Sequence, residues 1–210
     1  MKNKIIAVVG AGGKTTLIHR LAEEYRRKGA SVLVTTTTHM LVEPDTDLSC
    51  DSFVIREKIK KTGYCMVGSL CPGQTQKIEA LPEPVLRDLL TAADYVLIEA
   101  DGAKHCSLKY PAEHEPVIPK EATDVILVLG TWDLGNACEN VIFRFEPMKE
   151  FTGIPGKKLA GREELRLIRQ VYEEKLREMG FTGGFQVLLS EKTEQGLQFR
   201  AFQEALDEYE

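Results

Sequence analysis

Gly10-Ala11-Gly12-Gly13-Lys14-Thr15-Thr16 brings three glycines, a lysine and two threonines together in one short run, a combination suited to holding phosphate. Glycines leave backbone N–H groups uncovered for phosphate oxygens. Lys14 is set to neutralise the β- and γ-phosphates, and the Thr15 hydroxyl to ligate Mg²⁺. Gly10, Ala11, Gly12, Gly13, Lys14, Thr15 and Thr16 are therefore the expected nucleotide-binding set. The expected cofactors are ATP, with GTP not excluded, and Mg²⁺.

A phosphate-bound cation needs a carboxylate at the end of a neighbouring apolar strand. Val96-Leu97-Ile98-Glu99 meets that need, and Asp101 follows two residues later, on the same side if the strand continues. Thr35-Thr36-Thr37-Thr38-His39 leaves another strand with four hydroxyls in a row. Thr15, Glu99 and Thr36 are the expected metal set. Between the apolar runs lies a charged stretch containing Lys104, Lys109 and His114. The lysines suit charge developing on a transferred phosphoryl group, and His114, between Glu113 and Glu115, suits a base. The catalytic candidates are Lys14, Asp101, Lys104, Lys109 and His114. The bland alternatives are a turn at Asp101-Gly102, outward threonines favoured simply by strand geometry, and an ordinary surface histidine.

These residues need a scaffold of alternating strands and helices. Ile5 to Val9 is a β-branched run, Thr15 to Lys28 carries Leu17, Ile18, Leu21, Ala22 and Tyr25 at helical spacing, and Ser31 to Thr36 reads as the next strand. That βαβ unit predicts parallel strands. The stretch 41–81 is less regular, with a short strand expected near Tyr64 to Val67. A helix is expected from about Glu83 to Ala92, strands at Tyr95 to Ile98 and Asp124 to Leu129, and a loop from Phe151 to Gly161. A long helix from about Arg162 to Met179, a strand from Phe185 to Leu189 and a terminal helix from about Gln195 to Tyr209 complete the reading. The expected architecture is α/β, a P-loop NTPase-like three-layer fold with a mostly parallel sheet and helices on both faces. It forms a single domain over 1–210 with a less regular insertion at about 41–81.

Composition sets the class. The chain has 210 residues, 43% hydrophobic and 28% charged, with a formal net charge of -5. It shows no basic face for nucleic acid, no membrane-length apolar run and no leader pattern at its start, so the expectation is a cytoplasmic protein without nucleic-acid or membrane partners. Cys50, Cys65, Cys71, Cys106 and Cys138 are widely spread, with no zinc-type C-x2-C pair, and read as reduced thiols.

The spacing G-x-x-G-K-T-T lacks the glycine that the usual P-loop carries five residues before Gly13, where Val8 stands. It resembles the shortened loop of Mur-type ligases. Taken together, G-A-G-G-K-T-T, V-T-T-T-T-H, I-E-A-D-G-A-K and A-E-H-E-P-V-I-P resemble the YqeC family, accessory proteins of selenium-dependent molybdenum hydroxylases. The resemblance spans Val9 to Pro119 and extends to Gly130 and Asp133-Leu134-Gly135. It implies a cytoplasmic selenium-cofactor biosynthesis protein with a P-loop core, and as partners a selenium-dependent molybdenum hydroxylase or its cofactor-maturation proteins. Family proteins carry a His-Arg pair where this chain has Phe143-Arg144. Where they end a late strand in an N-K-x-D-like motif, it reads Leu188-Leu189-Ser190-Glu191-Lys192-Thr193, which favours ATP over GTP. The expected function is Mg-dependent NTP hydrolysis or phosphoryl transfer. The alternatives are a nucleotide-gated carrier or chaperone with little catalysis, with 41–81 as its switch or docking surface, and a Mur-like ATP-dependent ligase.

Overall fold

The computed structural model describes residues 3–206 and Tyr209. In chain order its elements are β1 (Lys4–Gly10), α1 (Lys14–Arg27), β2 (Val32–Thr36), β3 (His39–Leu41), α2 (Ser52–Thr62), β4 (Tyr64–Met66), β5 (Ser69–Leu70), β6 (Lys77–Glu79), α3 (Glu83–Leu89) and β7 (Tyr95–Glu99). There follow β8 (Leu108–Lys109), β9 (Asp124–Gly130), α4 (Cys138–Val141), β10 (Ile142–Phe143), α5 (Phe145–Thr152), α6 (Arg162–Glu178), β11 (Gly184–Thr193), β12 (Gly196–Ala201) and α7 (Phe202–Ala205). The protein is α/β with a mostly parallel central sheet. It condenses into two compact units, one of Met1–Val8, Thr15–Asp101 and Val117–Asp124, the other of Val9–Lys14, Gly102–Pro116 and Val125–Glu210.

In the first unit four parallel strands run in the order β1-β7-β2-β4. Their interiors read as unbroken apolar runs because both faces are covered: Val32, Leu33, Val34, Val96, Leu97 and Ile98 are all buried. The register sets Val8 opposite Glu99 and Glu99 opposite Thr36, so the candidate acid and threonine stand in one row at the carboxyl ends of parallel strands, where open α/β sheets take their ligands. The α1 helix buries Leu17, Ile18 and Ala22, and its Tyr25 stacks on Tyr95 with ring centroids 3.7 Å apart.

The stretch read as irregular is well formed. Asp51 caps α2 by accepting from the Phe53 and Val54 amides, and Gly63 ends it at φ 72°, a left-handed value that glycine takes without penalty. The helix escaped the sequence reading because its buried residues are only Ile55 and Ile59, too narrow a stripe to stand out. The strand foreseen near Tyr64 is β4, which pairs with β2 in the main sheet. A separate antiparallel sheet of order β3-β6-β5 fills the rest.

The second unit holds strands in the order β9-β11-β12, with β11 and β12 an antiparallel hairpin, and a small parallel pair, β8 with β10. The hairpin corrects the expected terminal helix from Gln195. Gly196 turns the chain at φ 102°, the Thr193 hydroxyl donates to its carbonyl at 2.8 Å, and pairing with β11 overrides local helix preference. Helix begins only at Phe202. Positions 207 and 208 of the expected helix lie outside the described residues. The α6 helix buries Leu165, Ile168, Val171, Tyr172 and Leu176 along one stripe, and at its start the Glu164 carboxylate accepts from the Gly161 N–H at 2.9 Å.

Among the described residues no helix is long and apolar enough to cross a membrane.

Candidate functional site

The glycine loop between β1 and α1 is held in conformations only glycine takes easily. Gly10, Gly12 and Gly13 lie at φ 89°, 90° and 105°, where a side chain is strained. A Cβ on Gly10 would fall 2.3 Å from the Val128 carbonyl oxygen, and one on Gly12 2.4 Å from the Gly130 nitrogen. The Ala11 N–H donates to Val128 O at 2.9 Å, the Ser190 hydroxyl donates to Gly12 O, and a Cβ on Gly13 would meet Leu197 at 2.5 Å. The loop is thus braced by β9 and by the C-terminal hairpin. The buried Lys14 turns back on the loop, its ammonium donating to Gly10 O at 2.9 Å.

In the first unit the Thr15 hydroxyl donates to a Glu99 carboxylate oxygen at 2.7 Å. Glu99 is only 7% exposed, so its carboxylate is largely removed from water. A hydroxyl and a carboxylate held side by side form a pair of hard oxygen donors of the kind Mg²⁺ takes. Thr36 is occupied differently: its hydroxyl donates to the Glu99 carbonyl at 2.8 Å and accepts from the Thr38 N–H at 2.9 Å. It fixes the backbone that presents Glu99. The adjacent Thr35 hydroxyl is buried without a hydrogen-bond partner. Strand β7 stops at Glu99, so strand alternation does not carry on to Asp101, which lies just beyond the strand end and is fully buried. Thr16 sits in the first turn of α1, half-buried.

The charged stretch after Asp101 divides in two. Lys104 and His114 are exposed. Lys109 is fully buried, its ammonium 2.7 Å from Glu115 and 2.6 Å from the Gly102 carbonyl. Arg144 bonds the same Glu115 oxygen, which also accepts from the Ala112 N–H at 3.1 Å. Burial drives Lys109 down to about 8, opposed by its bond to Glu115. Burial works against the Glu115 charge too, yet Lys109, the Ala112 amide and Arg144 outweigh it and hold the carboxyl below its usual value. Lys104, Lys109 and Arg144 all lie within 5.7 Å of the centre of the Phe143 ring. Beside Phe143 and Arg144 opens a cleft of about 350 Å³ that also touches Cys106.

Three residues of this arrangement escaped the sequence reading. Tyr172 is fully buried, its phenol pushed well above the usual value by burial and then by the nearby Glu115 charge, while it hydrogen-bonds the Gly10 backbone. In sequence it is simply an apolar-face position of α6. Ser190 announced itself only as a departure from a guanine-reading motif. Ser107, whose hydroxyl is buried without a hydrogen-bond partner, sits where its carbonyl accepts from Gly130 N at 2.9 Å, and no local signal marked it.

A family profile described as YqeC protein matches residues 6–146. The chain is 36% identical over 168 residues to "Uncharacterized protein YqeC" of Escherichia coli (strain K12), a match covering 71% of this chain and 61% of that protein. The chain thus spans less than two thirds of that relative's length. No solved structure matches.

Proposed function

The chain belongs to the YqeC family, and from that premise we propose that it binds a nucleoside triphosphate with Mg²⁺ and hydrolyses it or transfers its phosphoryl group, as an accessory protein of selenium cofactor biosynthesis for selenium-dependent molybdenum hydroxylases. The observation that carries this reading is the Thr15–Glu99 contact at 2.7 Å, next in the chain to a glycine loop that has no room for side chains. Bound nucleotide and Mg²⁺ would supply an activated phosphoryl group and the charge that neutralises it. The chain's own residues do the rest. The amides of Gly12 and Gly13 would offer N–H donors, while that of Ala11 stays bound to Val128 O; Lys14 would exchange the Gly10 carbonyl for phosphate, and Thr15 and Glu99 would hold the cation, with Thr36 fixing the Glu99 backbone. Asp101, Lys104, Lys109 and His114 serve the acceptor side. Lys104 supplies exposed charge, while Lys109 acts from within its ion pair to set the field. The selenium link rests on the motif resemblance, and ATP is favoured over GTP by the late strand's lack of a guanine-reading motif.

Turnover of Mg²⁺-ATP and Mg²⁺-GTP, with and without selenide, tests this reading against Lys14→Ala. Wild-type rates should exceed the variant's by at least about 100-fold, the scale of a lost charge-stabilising contact. Equal rates would sink the proposal.

A second reading, the nucleotide-gated carrier, is favoured by the number of exposed apolar side chains in the 41–81 stretch, Leu41, Leu48, Phe53, Val54 and Leu70 being each 43–71% exposed, which a partner could cover. Tight nucleotide binding without turnover, together with nucleotide-dependent retention of a hydroxylase, would select it.

A further inference from the structure

His39, Cys71 and Glu79 converge in the small antiparallel sheet, one from each strand or its immediate end. His39 opens β3 and stands directly opposite Glu79 of β6, and Cys71 follows β5, whose Ser69 flanks Glu79 on the other side. One ligand atom from each, the imidazole nitrogen, the thiol sulfur and a carboxylate oxygen, lies within 4.8 Å of the other two, and His39 Nε2 is 3.9 Å from Glu79 Oε2.

We infer that these three residues form a binding site for one zinc-class divalent cation, with a fourth coordination position open to solvent. A cross-strand His–Glu ion pair would account for two of the groups, but not for a buried sulfur brought to the same point. The donor set is mixed nitrogen, sulfur and oxygen, which suits borderline Zn²⁺ and not the all-oxygen demand of Mg²⁺ or Ca²⁺. The backbone holds the sulfur in place, because the Cys71 N–H donates to Lys77 O at 3.0 Å and the Cys71 carbonyl accepts from Gln74 N at 3.1 Å. Cys71 is buried while His39 is exposed and Glu79 half-exposed, so the site is closed on the sulfur side and open on the histidine side. Three protein ligands with one free position describe a zinc site that can take water or an incoming ligand, in contrast to a closed four-ligand structural site. Drawing the ligand atoms to zinc distances of about 2.0–2.3 Å needs only a modest contraction through side-chain rotation of the two more exposed groups. The thiol proton leaves to solvent as the metal enters. The inference is independent of the nucleotide reading.

The test uses the full chain, titrated with Zn²⁺ against a chromophoric chelator and with Co²⁺ by absorption. One equivalent should bind, and Co²⁺ should give a thiolate-to-metal charge-transfer band that Cys71→Ser abolishes and Cys106→Ser leaves intact. Glu79→Gln and His39→Ala, at more exposed positions that spare the fold, should each weaken Zn²⁺ binding by more than about tenfold, since even outer-shell losses reach that scale. Lys14→Ala should leave it unchanged. Absence of the band in wild type, its survival in Cys71→Ser, or full Zn²⁺ affinity in both Glu79→Gln and His39→Ala would overturn the proposal.

Discussion

At the scale of single residues, Glu115 carries the clearest energetic consequence. It compensates two cations, one of them the fully buried Lys109. Breaking a buried pair leaves an uncompensated charge in a poor solvent, at a cost of about 3–5 kcal/mol. Glu115→Gln should lower stability by that order in denaturant unfolding, with Lys109 and Arg144 left facing each other. The same groups set a pH signature. Glu115 is held below its unfolded value, so its contribution is full above the ordinary carboxylate range and fades as pH falls through the folded value. Lys109 lies at about 8 against 10.5. Between those values the unfolded chain binds the extra proton, so stability rises with pH across that window. Wild type should gain on Lys109→Met from about pH 8 to 10.5, as read from chemical-denaturation midpoints. Lysine, glutamate and arginine were all visible in the sequence, and their pairing was not, because Lys109 and Arg144 are distant in the chain and meet only when β8 pairs with β10.

At the scale of elements, the glycine loop and the hairpin behind it are the telling pair. Gly12→Ala places a Cβ against the Gly130 backbone and holds alanine at φ 90°, so it should cost on the order of 2 kcal/mol or more. Gly29→Ala at φ 81°, with nothing within 4 Å of its Cβ, should cost only the left-handed penalty of about 1–2 kcal/mol. Thermal melts of the two variants make the comparison, and equal losses would show that the close backbone approach carries no weight. The strands β1, β2, β7 and β9 were legible because their buried interiors are unbroken apolar runs. The helix α2 was not, with only two buried positions, and β12 was mistaken for helix because an edge strand with a half-exposed face takes its identity from its partner.

For the molecule as a whole, the chain passes between its two compact units at 8/9, 14/15, 101/102, 116/117 and 124/125. The motif residues are divided between the units: Gly10 to Lys14, Lys104, Lys109 and His114 belong to one, and Thr15, Thr16, Thr36, Glu99 and Asp101 to the other. A ligand that binds only the folded chain stabilises it by about 2.7 kcal/mol at 100 times its dissociation constant, which for a chain of this size is a rise of about 5–10 °C. Saturating Mg²⁺-ATP should produce that shift in wild type and none in Lys14→Ala, measured by calorimetry.

What the amino-acid order determined alone is local: the α/β alternation, the glycine loop with Lys14 and Thr15, the acid closing an apolar strand, and the motifs that resemble one family. Each depends on neighbours within a few residues, where backbone sterics and periodicity act directly. Tertiary structure alone decided that Thr15 reaches Glu99, that Thr36 serves the Glu99 backbone, that Lys109 is paired with Glu115 inside the protein, and that His39, Cys71 and Glu79 converge. Those outcomes depend on strand register and on burial, which sets what a charge must find once water is gone.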